Sequence, residues 1–383
     1  MLNAQALLNQ SRADTELTDL NGDEVLDALD RLVHALNEEA KLNDIGMYRA
    51  QASITNALKN RLKIEAYIRE NPEVLNEKIE RPIFIAGLPR TGTTALHHMM
   101  NEDSANRTIR LWEGADLVPP AETASYSTDP RIEQSRQGVQ LTEQFLPGFL
   151  KTHLLDAESP DECHMFFNQT LVSVEFTSSY NIPSYTNWVY QQNFEPLYAY
   201  HKKQMQLLQF KKPGRWVMKT PLHQLGVRAI LSNHPDAIVV QTHRAPMTIV
   251  ASGFSFNEVV RSGNSDHIDR KVIGRDWMEM MRIYSEEFES ARAEMESKHQ
   301  GQFLDVYHDD FVNNPWPDLE RIYSAANTSI SEQGRVSMNN WLENNPKGRY
   351  GKHEYRLEDY GVTRADVESL FAGYVQRYHV AME

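Results

Sequence analysis

Residues 81 to 100, RPIFIAGLPRTGTTALHHMM, constrain this chain more than any other stretch. Ile83-Phe84-Ile85-Ala86 is apolar and uncharged, the composition of a strand buried on both faces in a parallel sheet. A glycine loop follows from Gly87 to Thr94, and apolar residues then resume at helical spacing from Ala95. Strand, glycine loop and helix in that order gather backbone N–H groups and a helix N-terminus around one point, which makes an anion site. The expected fold is α/β, a P-loop-type parallel sheet flanked by helices, with an N-terminal helical arm and helical insertions.

The loop nearly matches the nucleotide-binding pattern G-x-x-x-x-G-K-[ST]. Gly87 and Gly92 are correctly spaced and Thr94 closes the motif, but Thr93 stands where the lysine belongs. An NTPase uses that lysine as a point charge on the β- and γ-phosphates beside magnesium, so its loss argues against γ-phosphate chemistry. Arg90 is the nearest cation. Together with Thr91, Thr93 and Thr94 it supplies one guanidinium and three hydroxyls, enough to hold a phosphate bearing one further anionic group without metal.

Composition narrows the partners. A net charge of −14 over 383 residues speaks against nucleic acid, which needs a basic face, so any anion site must be local. The single cysteine, Cys163, fits a reducing compartment. MLNAQALLNQSRADTE shows no basic-then-apolar leader, and no apolar run is long enough for a membrane span, so a cytoplasmic protein is expected.

Along the chain, residues 1–80 read as helical. Val25, Leu29, Leu32 and Leu36 mark one apolar stripe, and Ile54, Leu58 and Leu62 another. Asp19 to Asp23 resembles a calcium loop, but its glycine is misplaced, and Asn21 or Asp23 is read as a helix cap. Such an arm packs on the main domain or on a second copy of the chain, which would make a homodimer. Glu113 falls 19 residues beyond Thr94. In an open parallel sheet the loop after the next strand returns to the same carboxyl edge, so Glu113 is expected there, with a surface carboxylate or the partner of a nearby arginine such as Arg110 as the alternative. His153, beside Lys151 in LPGFLKTHLL, is either a base near neutral pH or a hydrogen-bonded structural histidine. Glu158, Asp161, Glu162 and His164 match no trustworthy metal spacing. The aromatic-rich Tyr180–Tyr200 stretch reads as a wall over a pocket for an apolar or ring-bearing substrate, or as ordinary helix packing.

Arg215 to Lys219 is a second inner strand, with Lys219 at its carboxyl end facing the ligand crevice. Ala237 to Thr242 is a third. It leads to His243-Arg244-Ala245-Pro246, where Pro246 opens a helix that carries Ser252 eight residues past Arg244. This junction offers a cation, a helix N-terminus and a hydroxyl to a second anion. Two anion sites at one sheet edge imply a ligand phosphorylated at both ends of a nucleoside. Near the end, Lys347-Gly348-Arg349 and Lys352 form a basic glycine-containing loop suited to closing over a phosphate, or simply a solvated charge run.

These features resemble the nucleotide-dependent sulfotransferases, in particular a bacterial branch with P-R-[ST]-G-T-T loops, over about residues 81–378. The resemblance implies an α/β domain at 81–383, preceded by the helical region 1–80, with an aromatic acceptor-side insertion at about 120–212. It also implies that Arg90, Thr91, Gly92, Thr93 and Thr94 hold the 5′ end of 3′-phosphoadenosine 5′-phosphosulfate. Arg244 and Ser252 are similar to the 3′-phosphate pair, joined by Lys347, Gly348, Arg349 and Lys352. Glu113 is similar in position to one branch's base and His153 to another's; Glu113 is preferred because its place follows from topology. In-line sulfuryl transfer needs donors on the moving oxygens, here Arg90 and Lys219, and removal of the acceptor proton, with no metal demanded. The implied acceptor is a small alcohol or phenol, including lipid-like ones. A small-molecule kinase, or a binding protein without turnover, is the alternative.

Overall fold

Five short parallel strands form the sheet in the computed structural model, which describes residues 1–145, 155–345 and 356–383. They are β1 (Ile83–Ile85), β2 (Asn106–Arg107), β3 (Arg215–Lys219), β4 (Ile238–His243) and β5 (Phe303–Tyr307), in the order β2-β3-β1-β4-β5. The apolar run that opens the glycine loop is thus the central strand. Its residues are buried on both faces, as the absence of charge demands. β3 begins and ends where the sequence suggests, and β4 starts one residue later and extends through His243.

The chain divides into two compact units. One comprises Met1–Ile79, Ile109–Pro213 and Val259–Ile268, the other Glu80–Thr108, Gly214–Glu258 and Asp269–Glu383.

In the sheet-bearing unit, parallel pairing sets Ile85 level with Lys219 on one side and with Val240 on the other. Ile83, Ile85, Val217, Ile238 and Val240 pack on Leu96, Met99 and Met100 of helix Thr93–Asn101, and Val306, Phe311 and Ile322 continue that core. The apolar spacing after the loop therefore buries one side of a nine-residue helix against the sheet.

The other unit is helical. Its long helix Asp44–Glu70 starts at Asn43, whose side chain accepts from the Gly46 amide. Inside the unit, Arg61 donates to the carbonyls of Leu20 (2.7 Å) and Asn21 (2.8 Å), and its guanidinium lies 3.8 Å from the Tyr200 ring centre. Buried Glu65 receives Lys203 at 2.7 Å and the Asn21 side chain at 2.8 Å. Asp23 occupies the N-cap of helix Glu24–Glu38 without a side-chain cap bond, so neither expected cap residue acts by that chemistry. Of the aromatic stretch, Tyr185, Phe194, Tyr198 and Tyr200 are buried around helices Pro183–Tyr190 and Phe194–Gln209. For these four the helix-packing alternative holds: Pro183 opens the first helix, Asn193 caps the second with Pro196 in its first turn, and both short helices need a core. No helix among the described residues is long and apolar enough to cross a membrane.

Leu96 is fully buried beneath the sheet, and Leu96→Ala is expected to cost about 3 kcal/mol of unfolding free energy. Tyr48→Ala, at a side chain 71% exposed, should change stability by less than about 0.5 kcal/mol. Urea titration of both variants checks the contrast.

Candidate active site

The β1–β4 register builds the site. Ile85 pairs with Val240, so two residues on, Gly87 comes level with Thr242. The approach is close enough that a Cβ on Gly87 would sit 1.8 Å from Thr242 Oγ1. Only glycine fits there. The Thr91 hydroxyl lies 2.5 Å from the Thr242 hydroxyl and donates to the Leu88 carbonyl at 2.5 Å, which folds the loop back on the strand end. Gly92 turns the chain with φ of 93°, and a Cβ there would meet His308 Cδ2 at 2.8 Å. Gly92 is also the N-cap of helix Thr93–Asn101 and supplies no capping side chain, so the first turn presents backbone amides at the loop.

Arg90 also has positive φ, 72°, a conformation that costs a non-glycine residue about 1 kcal/mol or more and is kept where surrounding contacts fix it. Those contacts come from the second junction. Arg90 Nε donates to Ser252 Oγ at 2.9 Å, and Arg244 Nη1 donates to the Arg90 carbonyl at 3.1 Å. The Arg90 guanidinium lies 5.7 Å from the Phe256 ring centre. Ser252 is carried by helix Pro246–Ser262, which opens with the proline as expected. The structure thus brings Arg90, Arg244 and Ser252 together at the carboxyl edge of β1 and β4. Burial pulls the Arg244 guanidinium below its ordinary pKa, and Asp309 offsets part of that pull. A desolvated cation of this kind gains most from an anionic ligand.

Lys219 ends β3 and is 3% exposed. Because it pairs with Ile85, strand alternation sets it on the sheet face shared by Ile85 and Val217, the one covered by helix Thr93–Asn101. Its backbone therefore stands one strand away from the loop.

Glu113 lies in the helical unit, on helix Leu111–Ala115, and is fully buried. It is not the surface carboxylate of the alternative reading. Tyr126 donates its hydroxyl to Glu113 Oε2 at 3.1 Å. The Tyr126 ring packs 5.1 Å from that of Trp112, with the Arg110 guanidinium 5.1 Å and the Lys212 ammonium 4.4 Å from it. The chain beyond is held by Asn60, which donates to the Ala115 carbonyl at 3.0 Å and accepts from the Leu117 amide at 3.1 Å. Arg131 adds a bond to the Asp116 carbonyl at 2.7 Å. His153, Lys347, Gly348, Arg349 and Lys352 lie outside the described residues.

Sequence reasoning passed over two residues here. Thr242 was legible only as the end of a strand, since its partner depends on β4 neighbouring β1. Tyr126 sits in a polar Ser/Thr-rich stretch and carries no local signal.

A glycine loop at the carboxyl edge of a parallel sheet, joined to an arginine from the next strand, is the arrangement of an anion-binding α/β enzyme. The sequence profile of the sulfotransferase family matches residues 82–332, and the chain belongs to that family. The fold is similar to that of the sulfotransferase STF9 from Mycobacterium avium, with TM-score 0.90 and 28% identity over 100% of this chain and 98% of that one. It is likewise similar to the sulfotransferase STF1 from Mycobacterium tuberculosis, with TM-score 0.85 and 30% identity over 97% and 99% of the two chains. A search of curated proteins gave no match. The protein is an enzyme of sulfuryl transfer and draws on a sulfonate donor co-substrate.

Gly87→Ala must displace either the loop or Thr242. It is expected to abolish donor binding and to lower the melting temperature by several degrees, read by calorimetry with the wild type alongside.

Proposed function

We propose that the donor is 3′-phosphoadenosine 5′-phosphosulfate and that the enzyme passes its sulfuryl group to the hydroxyl of a small alcohol or phenol. The observation that carries this reading is the contact of Arg244 with the Arg90 carbonyl, together with that of Arg90 with Ser252. Two strand-to-helix junctions that share one edge suit one ligand with an anion at each end. In this reading Gly87 to Thr94 cradle the 5′-phosphosulfate, with Arg90, Thr91, Gly92, Thr93 and Thr94 as donors, and Arg244 and Ser252 take the 3′-phosphate. The basic segment with Lys347, Gly348, Arg349 and Lys352 is proposed to close on that same phosphate. The absence of the P-loop lysine at Thr93 fits a ligand with no γ-phosphate.

Transfer runs in line. The acceptor oxygen attacks sulfur, the S–O bond to the 5′-phosphate breaks, and negative charge develops on the bridging oxygen. Arg90 and Lys219 are assigned to that charge and to the equatorial sulfuryl oxygens. Glu113 is assigned the acceptor proton, with His153 as the rival base. Glu113 is fully buried, and the Tyr126 hydroxyl that donates to it fixes its orientation, which suits a positioned base. A cytoplasmic setting, with its reducing conditions, fits a chain with a single cysteine, which is buried. A homodimer is proposed, with solution mass as its test, and the proposed chemistry requires one copy.

Calorimetric titration tests the donor assignment. 3′-Phosphoadenosine 5′-phosphate should bind at least about tenfold more tightly than AMP, and Arg244→Ala should remove most of that advantage, since a charge-assisted bond contributes about 1.5–3 kcal/mol. Equal binding of the two nucleotides by the wild type would refute it. For the base, Glu113→Gln is expected to lower kcat about a hundredfold or more with nucleotide affinity unchanged. The same loss in His153→Gln, with an active Glu113→Gln enzyme, would transfer the role to His153.

A further inference from the structure

Behind Arg244 lies a buried polar relay that neither the loop nor the proposed proton transfer uses. β4 ends at His243, whose side chain is fully buried. His243 Nδ1 is 3.1 Å from the Tyr374 hydroxyl, and Nε2 is 2.8 Å from Asp305 Oδ1 on β5. Arg292, on helix Arg270–Met295, donates to both oxygens of Asp305 at 2.6 and 2.8 Å and to Gln241 Oε1 at 2.8 Å. The same Tyr374 hydroxyl, on helix Arg364–Tyr378, accepts from the backbone N–H of Arg244 at 3.3 Å. The Tyr378 ring lies 4.1 Å from the imidazole at 30° and holds its plane.

Donor and acceptor capacity allow one ordering of these bonds. Asp305, held by Arg292 well below the usual carboxylate range despite burial, is an acceptor, so His243 carries its hydrogen on Nε2 and leaves Nδ1 bare. Burial also pulls the His243 pKa down against the attraction of Asp305, which favours this neutral ring. Tyr374 then donates to Nδ1, and its oxygen is left to accept the Arg244 amide. The chain of donors runs without a break from Arg244 N–H through Tyr374 and His243 to Asp305. A buried ion pair is weak support for stability, because apolar packing serves as well, so its presence behind one particular peptide favours a geometric role.

We propose that Tyr374 is a positioning residue for the donor's second phosphate, its hydroxyl fixing the His243–Arg244 peptide so that Arg244 and Ser252 meet that phosphate together. This rests on the assignment of the 3′-phosphate to Arg244. Tyr374 touches neither donor nor acceptor. Its effect is confined to how well the enzyme distinguishes a nucleotide with a 3′-phosphate from one without.

The test is the ratio of the AMP dissociation constant to that of 3′-phosphoadenosine 5′-phosphate, measured by calorimetric titration beside the melting temperature. Tyr374→Phe keeps the ring and is expected to lower the ratio about tenfold, through weaker binding of the 3′-phosphorylated nucleotide, with AMP affinity changed less than about twofold. Tyr378→Phe, which removes hydroxyl bonds to Gln241 and Glu289 remote from the Arg244 amide, should lower the melting temperature and leave the ratio intact. Two further variants cover loss of folding in Tyr374→Phe. His243→Asn retains an acceptor near the Nδ1 position and should keep the ratio, whereas His243→Gln retains the bond toward Asp305 and should lose it. A ratio unchanged in Tyr374→Phe, or equal in the two His243 variants, overturns the positioning role while leaving the donor assignment standing. A wild type that binds both nucleotides equally overturns the donor assignment and this inference with it.

Discussion

The parallel pairing of β1 with β4 is the constraint from which the site follows. Once Ile85 is level with Val240, the first loop residue must pass the end of β4, and the only side chain that fits opposite Thr242 is none at all. That close approach lets Thr91 reach Thr242, Arg244 reach the Arg90 carbonyl and Arg90 reach Ser252. Each contact is modest alone, about 1 kcal/mol net for the neutral Thr91–Thr242 bond and about 1.5–3 kcal/mol for those donated by a guanidinium. Their joint effect is geometric: a loop that would otherwise sample many conformations is fastened at three points, with two of its residues at positive φ.

Placing cations at such an edge has an energetic cost, and the fold offsets it locally. Arg244 is partly desolvated, which lowers its affinity for its own proton, yet its backbone is anchored through Tyr374 to a relay whose charges are already paired. The guanidinium itself donates to the Arg90 carbonyl and is held in place before any ligand arrives, so less ordering entropy is lost when one binds. Preorganised donors of this kind suit a transfer in which charge spreads over sulfuryl and bridging oxygens.

Glu113 illustrates a different solution in the helical unit. A carboxylate with no exposure needs a partner, and it has one in the Tyr126 hydroxyl, while Asn60 and Arg131 fix the chain that follows. These supports come from the long helix Asp44–Glu70 and the start of helix Arg131–Phe145. The amino-terminal helices are thus more than a spacer, since one of them holds the segment that carries the proposed base.

Local pattern was enough to read the strand, glycine loop and helix at 81–100, the strand at Arg215–Lys219 and the junction at Arg244 with Ser252 on its helix. Each rests on neighbours close in sequence: an uncharged apolar run, glycine spacing, a proline at a helix start. The approximate reach of the family likeness was legible for the same reason. What the chain order left undecided was which strands lie side by side, and so Gly87 against Thr242 and Arg90 against Ser252 appear only in the fold. The burial of Tyr185, Tyr198 and Tyr200 in helix packing, the Tyr126 bond to Glu113 and the relay from Arg244 to Asp305 join residues 13 to 131 positions apart. Sequence determined the elements, because propensity and periodicity act over a few residues; tertiary structure decided the partners, because hydrogen bonds and close packing depend on distance in space.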